Sequence, residues 1–449
     1  MHSPEDDSGL RDAIFQYAAG RLDYNPPPLD GTKSLENLSE VAGPTITEEG
    51  LGGKKALELF ADVLAPATIS TDHPGYLSFI PAAPTEAASL FDLVVSASSI
   101  YGGSWLEGAG AVYAENQVLD LLATECGLPK SSGGVFVQGG TLGNLSALVT
   151  AREVAQRKNG NRNYTIICST ESHSSVKSVA KVISVGTSAA DSGESGAIDY
   201  ESAKAAYEAA VAGGLTPFAI VGTAGTTNFG IIDDLAGLAK LAKEKDLWFH
   251  IDGAYGLAGI LVPELKQHYV GIEQADSLIV DPHKWLFSPF DACALIYRNP
   301  SLAKEVFSQH GEYLEPVNKN KDEWNPSDYA INLTRRARGL PLWFSLATHG
   351  VATYREAIRA NVDLAHRAAE EIEKRDYLAL VRKPQLSVVV FERVGWEQAD
   401  YDAWSEKLLA EQIALVLPSS LRGRPHTRFA IVNPMTTMAL LVEILDSMK

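Results

Sequence analysis

The chain has 449 residues, with 38 lysines and arginines against 56 aspartates and glutamates and a formal net charge of −18 at neutral pH. That balance argues against nucleic acid or an anionic membrane as a partner. A composition of 45% hydrophobic and 21% charged residues is that of a soluble globular enzyme with room for more than one domain.

Residues 1–70 hold helix-like stretches interrupted by Pro26-Pro27-Pro28 and Gly52-Gly53, too little for a core of their own. The start, Met1 to Asp7, is acidic and lacks an apolar signal core. No later run approaches the ~18 apolar residues of a membrane span. A cytoplasmic protein is therefore expected. From 71 to 345 strands alternate with helices: strand Gly134–Val137, helix Leu142–Arg157, strand Thr165–Cys168, helix Val176–Ile183, strand Ala219–Gly222, helix Leu235–Lys245, then strands Leu247–Ile251, Ser277–Val280 and Cys293–Tyr297. Such alternation predicts an α/β fold with a mostly parallel sheet flanked by helices. The Ser-, Ala- and Gly-rich stretch Gly186–Ser195 reads as a surface loop, and polar Gln309–Tyr329 as a long functional loop. Residues 346–449 read as a smaller α+β domain. A helix from Trp343 to about Arg375 leads into it, strands Leu386–Phe391 and Thr427–Val432 follow, and a last helix starts at Thr436 or Thr437. The cysteines, Cys126, Cys168 and Cys293, have no CxxC spacing and read as reduced core residues, so neither zinc nor a disulfide framework is expected.

Chemistry concentrates where strands end. One apolar strand runs out at Asp252-Gly253-Ala254-Tyr255 and the next at Asp281-Pro282-His283-Lys284-Trp285. One strand-helix-strand crossover fits between Asp252 and Lys284, and a parallel sheet gathers its ligands at the carboxyl ends of its strands. An acid and a lysine facing one another there suit pyridoxal 5′-phosphate (PLP), whose Schiff-base lysine and pyridinium-nitrogen acid form a recognisable pair. A lysine after an apolar strand can also snorkel to the surface, but that reading leaves Asp252 unexplained. Gly139-Gly140-Thr141 follows a strand and opens a helix, so its amides and the helix dipole could receive a phosphate, although such turns are also common without ligands. Asn144 lies one helical turn later. No GxxxxGK[ST] and no GxGxxG after a strand supports a nucleotide site.

The ordered set His73-Pro74, Phe79-Ile80-Pro81, Gln138-Gly139-Gly140-Thr141, His173-Ser174-Ser175-Val176, Gly225-Thr226-Thr227, Asp252-Gly253-Ala254 and Asp281-Pro282-His283-Lys284-Trp285 resembles the group II PLP-dependent amino-acid decarboxylases. This family includes the aromatic-L-amino-acid, histidine and glutamate decarboxylases, and the resemblance runs from about residue 35 to the end. It implies the fold-type-I PLP architecture and a homodimer whose active site lies at the subunit interface, with the N-terminal segment across the partner. Lys284 would carry the cofactor, Asp252 would meet its ring nitrogen, Ala254 and His173 would flank the ring, and Thr227 would lie beside it. Gly140, Thr141 and Asn144 would serve the phosphate, and His283 the phosphate or the substrate carboxylate. His173 and Tyr329, the latter as a loop proton donor, join Lys284 as implied catalytic residues. Phe79, Ile80 and Trp105 are candidates for an aromatic or large apolar substrate wall, and are equally readable as core. The implied reaction is decarboxylation of an L-amino acid to an amine and CO2. Oxidative deamination to an aldehyde is the alternative, and a non-catalytic PLP-binding protein a more distant one.

Overall fold

The computed structural model describes residues 8–309, 323–421 and 423–449. Helices α1 (Ser8–Leu22), α2 (Leu35–Ala42) and α3 (Gly53–Leu59) open the chain. None of their described residues is buried, and Ile14, Phe15, Leu35 and Val41 remain exposed. An ion pair of 2.8 Å between Arg21 and Asp72 ties α1 to the body. Two longer helices follow, α4 (Glu86–Ala97) and α5 (Trp105–Glu125), each capped by a hydroxyl side chain, Thr85 and Ser104.

Seven strands then build one sheet: β1 (Gly133–Val137), β2 (Tyr164–Ser169), β3 (Gly186–Ala190), β4 (Thr216–Thr223), β5 (Trp248–Asp252), β6 (Ser277–Val280) and β7 (Cys293–Tyr297), in the order β1-β7-β6-β5-β4-β2-β3. Only β7 runs against its neighbours. The central strands are buried on both faces, which explains their nearly unbroken apolar runs. Helices α6 (Gly140–Asn159) and α7 (Ser174–Val182) cover one face. Helices α8 (Tyr200–Ala212) and α9 (Leu235–Lys245) cover the other, together with α5. The stretch expected to be a loop from Gly186 is in fact strand β3 as far as Ala190, hydrogen-bonded in parallel to β2. Its small residues suit a half-covered edge, where pairing outweighs a weak intrinsic strand preference.

After α10 (Pro300–Phe307), helix α11 (Leu340–Glu373) bends at Gly350, which sits at φ +77°, and enters a second layer. Strands β8 (Leu378–Arg382), β9 (Val388–Arg393), β10 (Pro418–Leu421) and β11 (Arg424–Ala430) form an antiparallel sheet in the order β10-β11-β9-β8. Helices α12 (Gln398–Ala410) and α13 (Met438–Asp446) pack on it around Phe391, Tyr401 and Phe429. Thr437 is the cap of α13, its hydroxyl accepting the Leu440 amide. Leu77 belongs to this second core, and its amide donates to Leu415. The segment around Leu77, expected within the first domain, thus packs with the C-terminal layer. Among the described residues no helix is long and apolar enough to cross a membrane.

Candidate active site

The parallel strands β1, β2, β4, β5 and β6 all deliver their carboxyl ends to one side of the sheet, and a cavity of about 560 Å³ opens there. Gly140, Thr141 and Asn144 reach it from the first turns of α6, His173 from the start of α7, and Thr227 from the loop after β4. Asp252 and Ala254 reach it from the end of β5, and His283 and Lys284 from the turn after β6.

Helix α6 begins at Gly139 without any side-chain cap, so its first amides face the cavity with no intrahelical acceptor. Those amides and the helix dipole suit a phosphate dianion. A Cβ on Gly140 would lie 3.1 Å from Asp281 Oδ2 and 3.3 Å from the Ala254 methyl, so glycine leaves the room that the cradle needs.

The Lys284 amide donates to the Asp281 carbonyl, closing the turn that aims the side chain inward. Trp285 anchors this turn: it is fully buried, its indole N–H donates to Asn361 of α11, and its ring stacks on Tyr255. The Lys284 ammonium sits 2.9 Å from Asp281 Oδ2. Burial works to lower its pKa, but the charge and hydrogen bond of Asp281, with Asp252 behind them, raise it overall. Asp281 is itself buried, and its Oδ1 has no hydrogen-bond partner. His283 Nδ1 lies 2.7 Å from the Ala292 carbonyl oxygen and 3.2 Å from the Ala292 amide, and burial lowers the pKa of the ring.

Asp252 is held from two sides. Its Oδ2 accepts from Asn144 Nδ2 at 2.9 Å and its Oδ1 from the Ala254 amide at 3.2 Å. Such a preorganised carboxylate is what a protonated pyridine nitrogen requires. Together with the uncapped helix start and the inward lysine, it makes the cavity fit PLP. Sequence reasoning missed the layer behind Asp252, where Trp248, His250, Ser277 and Ser175 extend its hydrogen bonds. A signal was present, because Trp248, His250 and Asp252 alternate along a buried strand and so share one face. Asp281 was missed as well, although a carboxylate three positions before a lysine at a strand end is a readable pair.

Four expected residues do not reach the cavity. Phe79 adopts φ +53° and is 58% exposed, while Ile80 packs into the main core. Trp105 begins α5, with its amide bonded to Asn325. Tyr329 is 4% exposed and its ring stacks on Trp324 at 4.1 Å. Apolar burial has claimed that ring, so the geometry gives no contact between its phenol and the cavity.

Residues 37–394 match the conserved domain of the pyridoxal-dependent decarboxylases. The chain belongs to this family. The decarboxylase is 31% identical over 433 residues to an aromatic-L-amino-acid decarboxylase of Bacillus atrophaeus, covering 94% of this chain and 90% of that protein. It is 30% identical to an L-2,4-diaminobutyrate decarboxylase of Rhizobium meliloti over 96% of this chain and 85% of that one. It is also 29% identical to a 4-hydroxyphenylacetaldehyde synthase of Rhodiola rosea over 73% of this chain and 69% of the relative. Its fold superposes on an Oryza sativa TDC solved with PLP and tryptamine with a TM-score of 0.93 at 22% identity, covering 100% of this chain and 98% of that structure. The decarboxylase is thus a PLP-dependent enzyme of fold type I acting on an amino acid.

Proposed function

We propose that this decarboxylase converts an aromatic L-amino acid to its amine and CO2 as a cytoplasmic homodimer. The observation that carries the reading is the cavity, where Lys284, Asp252, His173 and the α6 amides converge. Among the described residues lining it, Lys284 is the only lysine and there is no arginine, while Leu142, Leu145 and Val179 form an apolar side. Such a lining suits an uncharged side chain better than an acidic one. The relatives named as aromatic-L-amino-acid, tyrosine and tryptophan decarboxylases support the same class.

PLP, when bound, supplies an electron sink for the pair released as CO2 departs. Asp252 would hold a positive charge at the ring nitrogen, and the α6 amides would hold the phosphate. Lys284 keeps its proton against Asp281 until a carbonyl is presented, and Asp281 is placed to receive that proton. His173 faces the substrate side, where it orients the carboxylate. The exposed apolar residues of α1 and α2, together with exposed Phe79, fit a second copy that covers this half and completes the substrate wall.

Oxidative deamination to an aldehyde remains the second reading. It is favoured by the relatives named as aldehyde synthases and by the placement of Tyr329 outside the cavity. Mass spectrometry of PLP-loaded protein incubated in air with the common amino acids decides between them. The expected result is an amine lighter than its parent by one CO2. An aldehyde would transfer the assignment to the second reading, and no product from any aromatic amino acid would overturn the proposed substrate class.

A further inference from the structure

A continuous chain of hydrogen bonds runs beneath the cavity floor. It starts at the Trp248 indole N–H, a group that only donates, 2.8 Å from Ser277 Oγ. Having accepted there, the Ser277 hydroxyl turns its own hydrogen to His250 Nδ1, also at 2.8 Å. His250 is opposite Ser277 in the β5–β6 ladder and wholly buried, and burial lowers its pKa to about 4, so the ring is neutral; because the Asn144 nitrogen faces Asp252, its carbonyl oxygen faces His250 and puts the ring's one proton on Nε2. That proton goes to Asn144 Oδ1 at 2.8 Å. The Asn144 amide nitrogen has two hydrogens and uses both, one on Asp252 Oδ2 at 2.9 Å and one on Ser175 Oγ at 3.0 Å. The Ser175 hydroxyl then donates to His173 Nδ1 at 2.9 Å.

The far end can be read independently. As the residue capping α7, His173 also receives the backbone amide of Ser175 at Nδ1, 3.2 Å away. A backbone amide can only donate, so Nδ1 must be the bare nitrogen. Reversing the chain would place Asn144 Oδ1 against Asp252 Oδ2, two acceptors with no hydrogen between them, and would drive an Nδ1–H of His173 onto the Ser175 amide. Asp252, which only accepts, and the amide at the His173 cap, which only donates, impose the same polarity.

We infer that Asn144 is a positioning residue whose single carboxamide holds Asp252 as an acceptor toward the cofactor and His173 in the Nε2–H tautomer toward the substrate. His173 therefore meets the cavity as a hydrogen-bond donor, matched to a carboxylate oxygen, and not as a base. The inference deepens the decarboxylase reading and rests on it for the identity of the carboxylate.

The test is 15N NMR of the full chain with labelled histidine, with and without PLP, the His173 and His250 signals being assigned through His173→Gln and His250→Gln. Both rings are expected in the Nε2–H form in the wild type. Ser175→Ala and Asn144→Leu should each raise the Nδ1–H population of His173 by about tenfold, the scale of one lost hydrogen bond, and Ser175→Thr should restore it. An Nδ1–H signal for His173 in the wild type overturns the assignment. A tautomer unmoved in both variants, with native circular dichroism, overturns the role of Asn144. The nitrogens are read without turnover, so a protein that decarboxylates nothing would remove the proposed reaction and leave this assignment standing. The opposite tautomer in an active enzyme would do the reverse.

Discussion

At the scale of the single residue, the site is governed by how burial changes the cost of charge. Lys284 is charged because Asp281 lies against it, and the two should be separable by mutation. Lys284→Ala is expected to abolish the visible absorbance of lysine-bound PLP, and an unchanged band would remove this lysine as the anchor. Asp281→Asn leaves burial of the ammonium unopposed by its nearest charge. The pKa controlling the rate at which the band appears should then fall by about 1–3 units, the usual reach of an adjacent opposite charge, as stopped-flow mixing across pH would show. His250 makes a further prediction about stability. Its folded pKa of about 4 lies below the ordinary 6.5, so the unfolded chain binds the extra proton. Its contribution is fully present above pH 6.5 and is lost as pH falls toward 4, by up to about 3 kcal/mol. Thermal melts over that window should fall steeply for the wild type and less steeply for His250→Gln.

At the scale of the element, the strand ends do the positioning, and they were also the legible part of the sequence. Asp252 and Lys284 could be placed because each follows an apolar run too short to be a helix. The histidine-lysine and glycine-glycine-threonine turns could be placed because loops after parallel strands share one edge. What stayed hidden lacked a local signal. Strand β3 is small and polar, and only its pairing with β2 makes it a strand. The layer behind Asp252 depends on the register of β5 against β6, which a sequence does not display. Tyr329 and Ile80 went into cores because burial of a ring or a branched chain competes with a site role, and only the packing shows which wins. The turn after β4 shows how strictly such an edge is built. Gly225 sits at φ +104°, and a Cβ there would lie 2.7 Å from Gly256 Cα. Gly225→Ala should destabilise the protein by about 3 kcal/mol, read from urea unfolding, and also weaken PLP binding, because Thr227 follows from the same turn. A stability loss within error would show that the turn relaxes freely.

At the scale of the whole molecule, the distribution of exposed apolar side chains is uneven in a way one chain does not explain. Ile14, Phe15, Leu35, Val41 and Phe79 lie outside while the cores are filled, and Phe79, Ile80 and Trp105, the wall expected for the substrate, are not among the described residues lining the cavity. A second copy would answer both observations if Phe79 of one subunit served the cavity of the other. In that arrangement Lys284→Ala and Phe79→Ala disable different halves of a shared site. Each variant alone should be impaired, the first without turnover and the second with a raised KM and reduced rate at low substrate. Unfolding, remixing and refolding the two together should produce heterodimers as half of the population, each with one intact site, so about a quarter of wild-type activity should return. If Phe79 instead acts within its own chain, every heterodimer carries one lesion in each site, and the mixture should show no gain over the two homodimers. Size-exclusion chromatography of the same samples separates this outcome from a failure to associate, since a mixture that elutes as monomer and stays inactive would overturn the dimer itself.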